Sequence, residues 1–501
     1  MQGSDTRAAA RILLLLALAA GVVGDVLLDG PAAGINIPLM TIGVLALGWL
    51  VRRRGRAPDP LDAWLPVTAL VLATGIAFRA DPFVGRLDLA GAAAFTGASV
   101  AAFSGLAITR RSLSAILAIA VMIVGSAGVG VVSLLGAARP APRTEPRRLP
   151  GWVGPIVRGL VLAVPLVMIL AVLFASADPI FRRAVDGLLG FQIDLGDLPG
   201  RLLFVIGIAW IVAGLLAVAQ RGLPGVEAAS LGAAAPTRAV SWQRTLGTTE
   251  AVVVLIAVDL VVGLFVGLQL AYLFGGLDTL AAAGMTYSAY ARRGYFELVA
   301  AAGLSGGILV ALDYLALRSR AFLLFATVLV GLTLVVLASA ALRLQLYQDA
   351  YGWTELRLYV AVSIVALAAS LVALAVFLLR DRTRWLGHAM AVIGVVSLLS
   401  LNFIAPAAFV AERNLQRVID PSLVPPDGEA TLDADYLAVL PDDAIPAMVA
   451  ALPRLPPLEA SRLRYLLLVR RDELRADPGF ASPFAWNLGR ERAKEALAAL
   501  P

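Results

Sequence analysis

Two acidic residues stand where the sequence is otherwise suited to lipid. Asp259 lies inside the apolar run 251–274, and Asp313 lies inside the next apolar run, about 297–317. A carboxylate at membrane depth must be protonated, paired or in contact with water, and such groups mark ion pathways, proton relays and substrate sites. At 1.5 Å per residue Asp259 falls about 12 Å along a helix from Ala251, near the middle of a bilayer. Both acids are candidate coupling carboxylates. The competing reading of Asp259 is a neutral acid hydrogen-bonded across a helix interface.

Two polar runs follow Asp259. The first, Tyr287-Ser288-Ala289-Tyr290-Ala291-Arg292-Arg293-Gly294-Tyr295-Phe296-Glu297, supplies Tyr290, Arg292, Arg293 and Glu297 as candidate ligand-binding residues. The second, 343–357, supplies Tyr347, Asp349, Tyr351, Glu355 and Arg357. Two apolar crossings separate the runs, so both emerge on one membrane face. Guanidinium groups suit bidentate recognition of an anionic headgroup or phosphate. The alternative is an interfacial helix anchored by its tyrosines, with Arg293 and Glu297 paired four residues apart.

The elements that must position these groups are set by composition. Of 501 residues, 60% are hydrophobic and 15% charged, far from the roughly 45–50% and 25% of soluble domains. Apolar runs of about 18–25 residues recur up to position 405, each long enough to cross a hydrocarbon core as a helix. The expected fold is all-α, a polytopic transmembrane bundle of about 11–13 spans with a small helical soluble tail. The run 87–108, rich in Ala, Gly, Ser and Thr, decides the tail's side. If it crosses, arginine shows no bias between the faces and the tail is internal. If it does not, a bias appears and the tail is external.

Composition also excludes chemistries. There is no cysteine and only one histidine, His388, so disulfides, thiolate zinc, iron–sulfur clusters and histidine-rich metal sites are ruled out. No cofactor and no metal are expected. The formal charge of +6, carried almost wholly by arginine, follows the positive-inside pattern and implies no nucleic-acid partner. The expected partners are the lipid bilayer, an anionic lipid or small-molecule ligand, and a protein at the carboxyl-terminal tail. The expected domains are an amino-terminal bundle (1–136), an Arg/Pro-rich linker (137–155), a second bundle (156–405) and the tail (406–501).

Five separated motifs, YSAYARRGYFELV, YQDAYGWTELRLY, LNFIAPAAFVAERN, LDADYLAVLPDDAIPAMV and WNLGRERA, resemble in order a family of bacterial integral membrane proteins known as domain of unknown function 4173, related to 4153. The resemblance covers about residues 150–495. The pattern falls on Tyr290, Arg292, Arg293, Gly294, Phe296 and Glu297, and on Tyr347, Tyr351, Gly352, Thr354, Arg357 and Tyr359. It continues on Asn402, Pro406, Arg413 and Asn414, then on Asp435, Tyr436, Leu437, Trp486 and Asn487. Where that family commonly reads Asn-Pro-Asp-Ala, this chain has Asn402-Phe403-Ile404-Ala405-Pro406, so a different corner is expected there. The resemblance implies a multi-pass protein of the bacterial cytoplasmic membrane and supplies no reaction.

Three functions stay open. One is binding or transport of an anionic or amphipathic small molecule or lipid, with a carboxylate-coupled step. Another is a signalling or assembly scaffold acting through the tail. The third is an enzyme of lipid or lipid-linked-glycan processing, with Glu297 or Asp349 as general base.

Overall fold

The computed structural model describes residues 2–52, 57–111, 116, 198–221, 248–274, 295–315, 318–425, 428 and 431–500. The linker 137–155 and the candidates Tyr290, Arg292 and Arg293 lie outside them. Among the described residues the protein is helical, without strands. Five helices are long and apolar enough to cross a membrane, Ala8–Leu28, Pro60–Phe78, Arg320–Tyr351, Glu355–Leu379 and Thr383–Ile404, and shorter apolar helices accompany them. The protein is therefore a helical membrane bundle, and its environment is a lipid bilayer.

The chain forms two compact units. The first holds α1 (Gln2–Leu28), α2 (Asn36–Val51), the first part of α3 (Trp64–Phe78), the last part of α4 (Pro82–Phe103) and α5 (Leu198–Arg221). Its tightest contact is between α1 and α5. A β-carbon on Gly24 would lie 2.6 Å from Ile208 Cδ1, and one on Gly21 would meet the Val205 carbonyl and the Ala209 β-carbon. Lipid supplies no hydrophobic drive between helices, so small residues that let backbones approach provide the packing. Asn36 joins α1 to α2 by donating to the Leu27 carbonyl at 2.9 Å and accepting the Gly34 N–H at 2.8 Å.

The second unit takes in residues 74–91 and everything described beyond 235. Its membrane part is α6 (Thr248–Phe274), α7 (Tyr295–Leu315), α8 (Arg320–Tyr351), α9 (Glu355–Leu379) and α10 (Leu386–Ile404). Their apolar faces share one core, which includes Leu255, Leu309, Phe322, Leu329, Leu337 and Leu371. Helix α8 has 32 residues, about 48 Å at 1.5 Å per residue, so it outruns a hydrocarbon core of about 30 Å. Its last turns, with Tyr347, Asp349 and Tyr351, then project beyond the lipid or take up the excess by tilt.

The tail consists of α11 (Pro406–Ile419), α12 (Ala434–Ala438), α13 (Ile445–Ala451), α14 (Pro457–Ala476) and α15 (Leu488–Ala498). It has a core of its own, built on Val410, Leu415, Leu437, Met448, Leu463, Leu467 and Leu497. At the departure from the family corner, α10 stops at Ala405, which is left-handed at φ 54°, and Pro406 opens α11. Proline is preorganised for a first helical position and lacks the N–H that would go unpaired there.

Overpacking the α1–α5 contact is expected to cost about 1–3 kcal/mol. Gly21→Leu should therefore lower the thermal midpoint of the detergent-purified protein. Gly43→Leu, at a position where a β-carbon would meet nothing within 4 Å, should leave it unchanged, and equal midpoints for the two variants would remove the contact from the account.

Candidate functional site

The second polar run folds into a corner between α8 and α9, and its groups are gathered there. The last carbonyls of a helix have no partner within it. At the end of α8 they are met by Arg417 of α11, a buried residue that donates to the carbonyls of Gln348, Asp349 and Ala350. Burial lowers the Arg417 pKa, while the nearby Asp349 raises it. Gly352 then turns the chain at φ 79°, where a β-carbon would also lie 2.8 Å from Asn414 Oδ1. Asn414 clamps the next peptide from both sides, accepting the Trp353 N–H at 2.8 Å and donating to its carbonyl at 2.9 Å.

The start of α9 has the opposite requirement, since its first N–H groups are unpaired. Thr354 caps it by accepting the Arg357 N–H at 3.3 Å, and the Tyr436 hydroxyl accepts the Glu355 N–H at 3.1 Å. Arg357 reaches back to the Gly352 carbonyl and lies 4.0 Å above the Tyr347 ring. Tyr347 and Tyr351 meet edge to face at 5.2 Å. Of the candidate ligand-binding residues, Arg357 bonds the corner through its side chain, while Asp349 and Glu355 meet α11 and α12 through their backbone.

A second lock joins residues 79–88 to the same region. Asn487 donates to the carbonyls of Ile76 and Arg79 at 2.8 and 2.7 Å, which finishes α3. Asp443 Oδ2 accepts the Ala80 N–H at 2.7 Å, and the Arg79 guanidinium donates to the carbonyls of Asn402 and Phe403 at the end of α10. Asp81 Oδ1 caps α4 through the Phe83 and Val84 N–H groups, while its Oδ2 accepts the Tyr359 hydroxyl at 2.9 Å. Glu355 Oε1 lies 3.5 Å from that hydroxyl. Deeper in α4, Asp88 is fully buried, and both its oxygens accept from Asn402 Nδ2, at 3.0 and 2.8 Å. Gly75 makes room for this pair, because a β-carbon there would meet Asp88 Oδ2 at 2.6 Å.

The remaining candidates lie elsewhere. Asp313 is paired with Arg318 at 2.6 Å, and Arg318 also bonds Asp381 and Thr383, so this acid belongs to a junction of α7, α8 and the α9–α10 turn. Asp259 is buried on α6, and neither carboxylate oxygen has a hydrogen-bond partner among the described residues. Glu297 sits in the first turn of α7. His388 lies beside Trp385, ring centroids 6.1 Å apart.

Sequence reasoning did not single out Arg79, Asp81, Asp88, Arg417 or Asp443. Asp81-Pro82 carried a usable signal, an acidic cap followed by proline at the first helical position. Asp88 also stood out as a charge among small residues. Their partners lie more than 250 residues away in sequence, from Tyr359 and Asn402 onward, and no local pattern reveals them.

A family model described as Domain of unknown function (DUF4153) matches residues 67–451. This is the relative of the 4173 family that the motifs resemble, and the match begins at residue 67 rather than near 150, so the 79–88 segment lies inside it. Comparison with curated proteins and with solved structures finds no match.

Burial pushes the Asp443 carboxyl up to about 6 from an ordinary 3.8, with Asp81 and Asp442 adding to the shift and the Ala80 amide and Arg79 opposing it. The folded state therefore holds this proton more tightly than the unfolded chain does. The stability this contributes is fully present below pH 3.8 and is lost as pH rises through about 6. Asn at 443 can still accept the Ala80 N–H but cannot ionise. Thermal melts stepped through this range should show the wild type losing stability relative to Asp443→Asn between those values; a pH-independent difference would mean that Asp443 titrates alike in both states.

Proposed function

The chain belongs to the family of the domain of unknown function DUF4153, and on that premise we propose that it is a bacterial cytoplasmic-membrane scaffold whose bundle holds the tail in place for a protein partner. The observation that carries this reading is the two-faced character of α14. Helix α14 buries Leu463, Leu467 and Leu474 in the tail core. Leu458, Tyr465 and Val469 are exposed at 80%, 67% and 41%. At about 100° per residue these three fall within about 40° of one another, on the side opposite the buried stripe. A solvent-facing apolar stripe on an otherwise charged helix is the usual form of a helix-recognition surface. The locks at residues 79–81 and 352–355 support the same reading, because they fix the tail to the helix ends instead of leaving it on a flexible tether.

A photo-crosslinking residue placed at Tyr465 or Val469 in cells should give one discrete protein adduct. The same residue at Arg464, about 100° round the helix from Tyr465, should give none. Indistinguishable patterns at the three positions would count against the stripe.

Asp259 supports a second reading, carboxylate-coupled movement of an anionic or amphipathic small molecule or lipid. An acid kept in an apolar interface without a partner costs stability, and replacing it with a hydrocarbon recovers some of that cost. Asp259→Leu is expected to raise the thermal midpoint, by about 1–3 kcal/mol in stability. A lowered midpoint would instead assign Asp259 a structural bond.

A further inference from the structure

The tail contains a pocket that neither the locks nor the exposed stripe uses. It opens between the last turns of α14, the short turn Pro478–Phe480 and α15, with a volume of about 410 Å³. Small-molecule sites run from about 300 to 1,000 Å³. The pocket's base is apolar, formed by Leu474 and Leu497, both buried in the tail core. Phe480 lines one side, and its ring carries the Arg490 guanidinium at 3.9 Å. Arg490 is itself fixed by donation to the Ala485 carbonyl at 2.9 Å. The aromatic side is thus held by a buried cation.

The entrance carries the opposite chemistry. Arg471, Arg475 and Lys494 surround it, with Asp477 as the one acid. Asp477 Oδ1 accepts the Gly479 N–H at 2.8 Å, and the carboxylate remains one negative group against three positive ones. Lys494 and Arg471 have partial compensation from Glu491 at 2.9 Å and Asp472 at 3.4 Å. Arg475 is exposed and forms no ion pair among the described residues. A ligand that satisfies both parts needs an apolar body for the leucines and the ring, and an anionic head for the cations.

We propose that this pocket binds a small amphipathic anion, a phosphate or carboxylate carried on a ring or short hydrocarbon. Arg475 and Lys494 hold the anionic head, and Phe480, Leu474 and Leu497 receive the apolar part. The assignment is independent of the docking stripe, because Leu458, Tyr465 and Val469 do not line the pocket and either can fail alone.

Phenyl phosphate is a suitable probe, titrated calorimetrically into the full-length protein in neutral-detergent micelles. Saturable binding is expected, with phenol and inorganic phosphate each binding more weakly. The double variant Arg475→Gln, Lys494→Gln should weaken phenyl phosphate by about tenfold or more, the loss of one or two charge-assisted hydrogen bonds. Lys494→Arg, which keeps the charge, should retain binding and guard against misfolding as the cause. Unchanged affinity in the double variant, or inorganic phosphate binding as tightly as phenyl phosphate, would overturn the proposal. Repeating the titration in nanodiscs with and without phosphatidic acid identifies the source of the anion. Competition by the lipid makes the natural ligand a headgroup and no competition makes it a soluble molecule, and the pocket assignment stands in both cases.

Discussion

A helix that runs to the edge of a bilayer ends in backbone groups that lipid cannot satisfy, and in this protein those groups are met by side chains from far along the sequence. Arg417 takes the carbonyls at the end of α8, and Asn487 takes those at the end of α3. Tyr436 meets an N–H at the start of α9, and Asp443 meets one in the turn after α3. All four come from the tail or its first helix. Each unmet buried group would cost about 1–3 kcal/mol, so the membrane helices and the tail are bound together by the same bonds that complete them.

This constraint changes how the polar residues are read. A run of arginines, tyrosines and acids between two apolar helices invites interpretation as a gate or an anion site. The Arg357 guanidinium and the Glu355 backbone N–H both bond at the corner where α8 turns into α9, and Asn414 holds that corner from the other side. Asp313 is committed to Arg318. Asp259 differs from these, since nothing among the described residues satisfies its carboxylate. A group that costs stability without returning a bond is where a functional demand is most economically inferred.

The tail carries the other unmatched chemistry. Once Leu463, Leu467 and Leu474 of α14 are buried, its opposite stripe remains uncovered, and its flank forms one side of a cation-ringed pocket. The two proposals give apolar stripe and cationic pocket different occupants, one a protein surface and the other a small anion.

Composition and run length were enough to establish a helical membrane protein, because hydrocarbon thickness and backbone satisfaction leave no other solution for such a chain. The motifs around Tyr347 to Tyr359, Asn402, Asn414, Tyr436 and Asn487 also marked where the chain is most constrained. Their roles were not readable, since a lone Asn or Arg in a loop looks the same whether it binds a ligand or caps a helix. The tertiary structure supplied their partners, bringing Asn402 to Asp88 and Tyr359 to Asp81 across hundreds of residues. It also decided which side of α14 faces the core, because hydrophobic periodicity shows two apolar stripes and only packing chooses the one to bury.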